Sequence, residues 1–342
     1  MHGPSRGSQI TVTIEPLVGV FAFLGSLVVT PRILRRLAAR GFTVEDRYKE
    51  GRPAIVTHAG LLSLVATMLA LAASFLLRVP ALVFMPWTPG GPDPVLSAQL
   101  ALFTIGGYGI VGAIDDRHSL SHIVKAAVPL SLGLPAAALA LARAVPLPLS
   151  FPVIASLEGV ATLSLIPFYI LVVANLINMH SGFNGLQSGL SLILLGTILA
   201  RVTLEGAADQ NIALFVVAGS VAAFYPFNRY PAKAIEGNVG SFLVGAAIAV
   251  GLTTNGLFWP GVVMLAPHIL DFSLFAYARG SGRPFIKFGM VRQDGTIEAP
   301  YPYKLKFVFP FFFRLTERQT VRWLYILTLV TCLASFLVPK VG

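Results

Sequence analysis

Asp115 and Asp116 stand side by side just after an apolar run, with Ser119 and Lys125 close behind. Adjacent carboxylates at a membrane edge are costly unless they are solvated or bind a metal. Such a pair suits Mg²⁺, a hard cation that takes oxygen ligands and commonly binds together with substrate phosphates. Lys125, at the mouth of the next apolar run, can meet a phosphate as a point charge; a snorkelling topology anchor is the alternative reading.

Three further clusters carry amides, glycines and cations. In the first, Asn175, Asn178, Ser181, Gly182, Asn184 and Gly185 follow one another where an apolar run ends. Asn175 and Asn178 share a helix face at this spacing. Their oxygens can ligate a hard cation, and the glycines let backbone approach a ligand; a helix end with polar caps is the plainer alternative. His180, in the same stretch, reads as a packed or capping histidine. The second cluster, Phe227 to Ser241, ends in Gly237-Asn238-Val239-Gly240-Ser241, a helix start whose backbone N–H groups are suited to an anion, or simply an N-cap with a small-residue contact. The third places Arg283, Lys287 and Arg292 before an Asp294-Gly295 turn. It suits a pyrophosphate or anionic lipid headgroups. A charged stretch at the start of the chain, from Asp46 through Lys49 and Arg52 to Gly60, is too polar to face lipid.

The elements that hold these clusters follow from composition. The 342 residues are 55% hydrophobic and 12% charged, with a mean hydropathy of +0.77, whereas soluble domains carry about 25% charged residues. Lipid is therefore the expected solvent for an all-α integral membrane protein. Runs of about 20 apolar residues lie near 11–31, 59–80, 96–114, 124–145, 159–179, 185–203, 210–227, 239–256, 258–278 and 321–338. They predict about ten transmembrane helices in a single polytopic domain over 1–342. The first run reads as a retained helix and not a cleaved signal. Cys332 is the single cysteine, which excludes an intrachain disulfide and a cysteine metal site. The net charge of +10 does not point to nucleic acid, because the basic residues sit in short loops. Loops near 32–58, 115–125, 180–184, 228–238 and 279–320 fall on one side. With the basic start of the last run, this side holds twenty of the 25 Lys and Arg. By the positive-inside rule it is cytoplasmic, and both termini, with Arg6, Arg78, Arg143, Arg201 and Lys340, lie outside.

Taken in order on one face, these clusters resemble the polyprenyl-phosphate N-acetylhexosamine-1-phosphate transferase family, and within it the UDP-GlcNAc–dolichyl-phosphate GlcNAc-1-phosphate transferase branch more than the bacterial phospho-MurNAc-pentapeptide translocases. The resemblance rests on Asp46-x-x-Lys49-x-x-Arg52, on Asp115-Asp116-x-x-Ser119 with Lys125, on Asn175-x-x-Asn178-x-x-Ser181-Gly182-x-Asn184-Gly185, and on Phe227-Asn228-x-Tyr230-Pro231-Ala232-Lys233 followed by Gly237-Asn238. It implies transfer of HexNAc-1-phosphate from a UDP-sugar to a polyprenyl or dolichyl phosphate with release of UMP, the first membrane step of lipid-linked glycan assembly, in a prokaryotic plasma membrane of archaeal type or the ER. It implies Mg²⁺ (or Mn²⁺) as cofactor. The resemblance further implies that Asp115 and Asp116 orient or deprotonate the acceptor phosphate and that Lys125 contacts a phosphate. Asn178, Asn238 and Ser119 fall at the metal, and Gly182 and Asn184 at the nucleotide. Lys49, Asn175 and Gly185 join the substrate-binding set, and Arg283, Lys287 and Arg292 face the diphosphate and sugar. Membrane lipids are expected partners, and a homodimer is compatible with the sequence.

The chain departs from the family in three places. Asn238 replaces an Asp, which removes a charge from the metal position; Ser119 replaces an Asn; and the last loop lacks the family's His-containing basic motif. Two other readings stay open: a transporter or flippase for phosphorylated lipid or sugar nucleotide, for which Glu15 and Asp271 are the intramembrane acids, and a catalytically weak paralogue, for which Asn238 is the motive.

Overall fold

A computed structural model of the chain describes residues 15–84, 93–148, 157–283 and 286–340. All ten apolar runs contain helix. The order is α1 (Glu15–Ala39), α2 (Leu61–Phe84), α3 (Pro94–His118), α4 (His122–Leu132), α5 (Leu134–Ala142), α6 (Glu158–Met179), α7 (Leu186–Leu204), α8 (Ile212–Asn228), α9 (Gly237–Thr253), α10 (Phe258–Met264), α11 (Ala266–Gly280), α12 (Leu305–Phe312) and α13 (Glu317–Ser335). Arg6 and the first residues of the 11–31 run lie outside the described residues.

The expected ten spans resolve into helices of unequal length. Among the described residues six helices are long and apolar enough to cross a membrane, one of them the α4–α5 run counted whole. A seventh appears if α10 and α11, bent 66° apart, form one broken span. The 17-residue α9 is shorter, yet it is buried along its whole length from Val239 to Thr253. It is the axis of the molecule, against which α3, α6, α7, α2 and α8 pack. Its Gly245, Ala246, Ala247, Ala249 and Gly251 let neighbouring backbones come close, as in membrane helix interfaces generally. The main core, with Ile105, Tyr108, Ile170, Leu195, Leu243 and Ile248, lies around it. α1 is the opposite case, with few buried residues, and is docked mainly on α8.

The polar loops on one side are stitched to each other. Strands β1 (Thr43–Glu45) and β2 (Ala54–Val56) form an antiparallel hairpin. Beyond it, Val56 accepts from Ile235 N–H at 2.8 Å, and Ala59 and Gly60 donate to Ile235 and Glu236. The loop before α2 is thus a parallel neighbour of the loop before α9. The long loop after α11 carries a second hairpin, β3 (Met290–Val291) with β4 (Ile297–Glu298), and the amphipathic α12. Gly60 sits where a Cβ would meet the Gly240 backbone at 2.3 Å, and a Cβ on Gly112 would meet Asn238 O at 2.4 Å. Both positions require glycine for α9 to enter between α2 and α3.

Candidate active site

The start of α9 brings the aspartate pair and the Gly237–Ser241 motif together. Asp116 accepts from Asn238 N–H (2.9 Å) and Val239 N–H (3.1 Å). The anion that the sequence motif invites to this helix start is therefore the chain's own Asp116, a correction to the expectation of free N–H groups there. The cause is a carboxylate fixed beside the first turn, where N–H groups have no helical partner. Asp115, only 5% exposed, accepts from Asn238 Nδ2 (2.9 Å), from Leu120 N–H (2.9 Å) and from Lys125 Nζ (2.7 Å). Lys125 stays partly open at the surface while its ammonium is held by Asp115. His58 approaches Asp116 through Nε2 at 3.9 Å.

Beside this array is a cavity of about 600 Å³. Its wall includes Asn178, Gly182, Asn184, Glu236, Asn238 and Lys287. Glu236 accepts from Ser188 N–H (3.1 Å) and Asn228 Nδ2 (3.3 Å). Enclosure pushes its carboxyl up to about 7, against the pull of these hydrogen bonds toward the charged form. Asn178 and Asn238 each bring an amide to the cavity, and the Asn238 Nδ2 bond to Asp115 fixes which end of that amide is the donor. This oxygen-only set, two amides and one carboxylate, fits a hard divalent cation that completes its shell with substrate phosphate oxygens. Among the described residues no cluster of three or more His, Cys, Asp or Glu could hold a metal by itself. Ser119 is not part of the set; it is the exposed left-handed cap of α3 (φ 47°) and lies off the cavity wall.

The remaining candidates divide by position. Gly182 (φ 103°) is on the wall, and a Cβ there would meet Lys306 Nζ at 2.5 Å. Gly185 (φ 74°) caps α7 and accepts from the Tyr325 hydroxyl. Asn184 lines the cavity, but its Oδ1 accepts from Ala232 N–H (2.9 Å) and its own N–H donates to Glu317 (2.6 Å). Its side chain holds the 228–238 loop. Asn175 sits one turn deeper, donates to Leu171 O (2.8 Å) and does not line the cavity. Lys49 pairs with Asp46 and Glu317 and lies over the Tyr230 ring, 4.1 Å from its centroid. Lys287 is on the wall; Arg283 covers the Tyr303 ring at 4.7 Å, and Arg292 folds onto Glu298 and Ile297 O of its own hairpin. The structure thus brings Asn178, Gly182, Asn184, Asn238 and Lys287 to one cavity, with Asp115, Asp116 and Lys125 at its edge. Ser119, Asn175 and Arg292 are apart from it.

Other residues of the site carried no motif. Gln187 exchanges hydrogen bonds with Ser241. Glu317, 2% exposed, joins Lys49 and Asn184; an acid beside the Thr316-x-x-Gln319 capping box was its only signal. Lys306 is buried behind Gly182, donates to Ser181 O at 3.1 Å, and burial lowers it to about 8. Asp271, an intramembrane acid in the sequence, pairs with Lys304 at 3.0 Å and accepts from Leu305 N–H at 2.7 Å.

Residues 98–255 match the model of glycosyl transferase family 4. A protein of Sulfolobus acidocaldarius, provisionally named UDP-N-acetylglucosamine–dolichyl-phosphate N-acetylglucosaminephosphotransferase, is 26% identical over 84% of this chain and 84% of its own length. A Saccharolobus solfataricus protein of the same provisional name is 27% identical with the same coverage. The phospho-N-acetylmuramoyl-pentapeptide-transferase of Oceanobacillus iheyensis is 27% identical over 67% of this chain and 72% of its own. With a match through its central residues and relatives aligned over most of its length, the chain is similar to glycosyl transferase family 4.

Proposed function

We propose that the protein transfers HexNAc-1-phosphate, GlcNAc-1-phosphate before others, from a UDP-sugar to a polyprenyl or dolichyl phosphate and releases UMP. The observation that carries this reading is one cavity whose wall includes Asn178, Asn238, Glu236 and Lys287, with a carboxylate-held ammonium at its edge, on the basic face of a lipid-embedded bundle. The names of the relatives supply the substrate classes.

Phosphoryl transfer asks mainly for positioning and charge stabilisation. An oxygen of the lipid phosphate forms a bond to the β-phosphorus of the UDP-sugar, and the bond from that phosphorus to the bridging oxygen breaks, its electron pair leaving on UMP. The acceptor is already anionic at neutral pH and needs little base catalysis. Asp115 holds Lys125 toward the acceptor phosphate. Asp116 keeps the first turn of α9, and so Asn238, in place. Asn178, Asn238 and Glu236 are the residues that would hold Mg²⁺ or Mn²⁺, which when bound neutralises the diphosphate. Lys287 faces the donor from the wall. The site is assigned to the cytoplasmic side, where the basic loops lie and UDP-sugars are made.

The test is UMP release by detergent-purified protein given UDP-GlcNAc, a dolichyl or polyprenyl phosphate, and Mg²⁺ or Mn²⁺. Release that needs both lipid and metal supports the reading. Release with no lipid dependence, or none with any UDP-HexNAc, overturns it. One feature favours a second reading, a weakened paralogue: Asn238 offers the metal position an amide in place of a charge. Donor binding at full affinity without turnover would mark that case.

A further inference from the structure

α12 and the residues after it form an amphipathic strip that the proposed reaction does not use. On its inner side Leu305, Lys306, Phe307 and Pro310 are buried. On its outer side Phe311, Phe312 and Phe313 follow one another at 48%, 66% and 62% exposure. Among the described residues no other run of three consecutive aromatics is so exposed. Three phenylalanines in water are a heavy cost for one short helix.

The depth of this strip is fixed by α13. One face of α13 carries exposed Arg318 and Arg322 and then, at helical spacing, exposed Ile326, Leu329 and Leu333. That switch from cations to aliphatic side chains marks where the helix passes from headgroups into hydrocarbon. Trp323, half exposed, stands at the switch, the level at which interfacial tryptophans gather. The Phe309 ring of α12 stacks on Trp323 at 6.4 Å with 22° between planes. α12 is therefore level with the interface. Arg314, exposed and weakly tied to Asp294 at 3.7 Å, adds a third cation beside Arg318 and Arg322.

The geometry points to an interfacial anchor: α12 lies along the membrane surface on the side of the site, with Phe311, Phe312 and Phe313 seated at the top of the acyl chains and Arg314, Arg318 and Arg322 on the phosphates of anionic lipids. The occupant is the protein's own bilayer. Continuity with the apolar face of α13 and the charge match of three arginines to anionic headgroups argue for it. α12 also reaches the cavity wall, because Lys306 holds Ser181 O. The membrane surface thereby fixes the long loop over the site.

The experiment places a spin label on full-length protein at Phe312→Cys in a Cys332→Ser background, since Cys332 is the sole cysteine. The protein is reconstituted in vesicles of phosphatidylcholine with phosphatidylglycerol. Accessibility to oxygen is read against a water-soluble nickel chelate, with Leu333→Cys and Met290→Cys as lipid and solvent references. The expected result is oxygen-favoured accessibility at 312, close to that at 333. Omitting phosphatidylglycerol, or replacing Arg314, Arg318 and Arg322 by Gln, shifts it several-fold toward nickel. Nickel-favoured accessibility like that at 290 overturns the anchor. So does spin–spin broadening with neither reagent entering, which would mean that a second copy covers the face. An unchanged signal without phosphatidylglycerol overturns the arginine contact. If Phe312→Cys does not fold, quenching of Trp323 by lipid brominated near the headgroup, with Trp87 and Trp259 changed to Phe, reads the same depth; no quenching there also overturns the proposal. Because the readout is position and not turnover, its failure leaves the transferase reading intact.

Discussion

Asn238 donates through Nδ2 to Asp115 while its own N–H donates to Asp116. An aspartate at 238 would turn the first of these contacts into two facing carboxylates. Asn238→Asp is therefore expected to lower Tm in EDTA and to regain it in Mg²⁺ more than the parent does; equal Tm values in EDTA would remove the argument. Asp116→Asn replaces one accepting oxygen by a donor that opposes a backbone N–H of α9, leaving a buried group unpaired at a cost of about 1–3 kcal/mol. Denaturant midpoints check this, and UMP release is expected to fall with them. Lys306 offers a pH signature. Its folded value near 8 lies below the ordinary 10.5, so below about pH 8 the folded and unfolded states both carry the proton and the burial cost is present in full. Between about 8 and 10.5 the unfolded chain holds more protons, and stability rises with pH. The Tm of the parent minus that of Lys306→Met should grow between pH 7.5 and 9.5 (~two pH units), and a flat difference would show that the ammonium is not enclosed. At this scale the sequence was legible where chemistry and spacing coincide, as in Asp115 with Lys125. It was silent where partners lie far apart in the chain. Nothing near Glu317 announces Lys49 or Asn184, and the exposure of Ser119 follows from a left-handed φ that no spacing rule reveals.

Three helices on the site face begin against a carboxylate from elsewhere in the chain. Asp116 meets the first turn of α9, Glu236 the first turn of α7 through Ser188, and Asp271 the first residue of α12. Such contacts satisfy backbone donors that have no helical partner and complement the positive end of the helix dipole. The polar loops are thus a framework as well as a binding surface. The framework depends on close approach: Gly112→Ala pushes α9 off α3 at Asn238 O, an overpacking cost of about 1–3 kcal/mol. We expect a lower midpoint and a raised KM for the UDP-sugar; an unchanged KM would separate helix spacing from donor binding. The ten helical segments were legible because apolar runs of span length have few other outcomes. The breaks were not. α4 and α5 part at Gly133, and α10 and α11 part at Leu265, inside runs long enough to read as single spans. α12 was hidden because its eight residues lie in a stretch that reads as a polar loop.

Over the whole molecule the two faces differ in kind. The basic face gathers the cavity and its stitched loops. The other face is tied by Arg143, which donates to Thr254 O at 3.2 Å and also to Gln210 O, while Asn211 and Asn255 exchange amide bonds. Burial lowers Arg143 to about 10, so it stays charged at neutral pH. Arg143→Ala is expected to lower Tm by several degrees (~1–3 kcal/mol for acceptors left without a donor) and to leave KM for the UDP-sugar unchanged. A shift in KM would mean that the two faces are coupled through the bundle.

Glu317 opens the last helix, and its partners Lys49 and Asn184 belong to segments made far earlier, Lys49 being 268 residues away along the chain. During synthesis the bundle can insert helix by helix and its earlier loops can pair, but Lys49 and Asn184 meet their shared partner only once Glu317 has been made. A nascent chain that has not reached α13 therefore lacks the carboxylate that joins the loop before α2 to the start of α7.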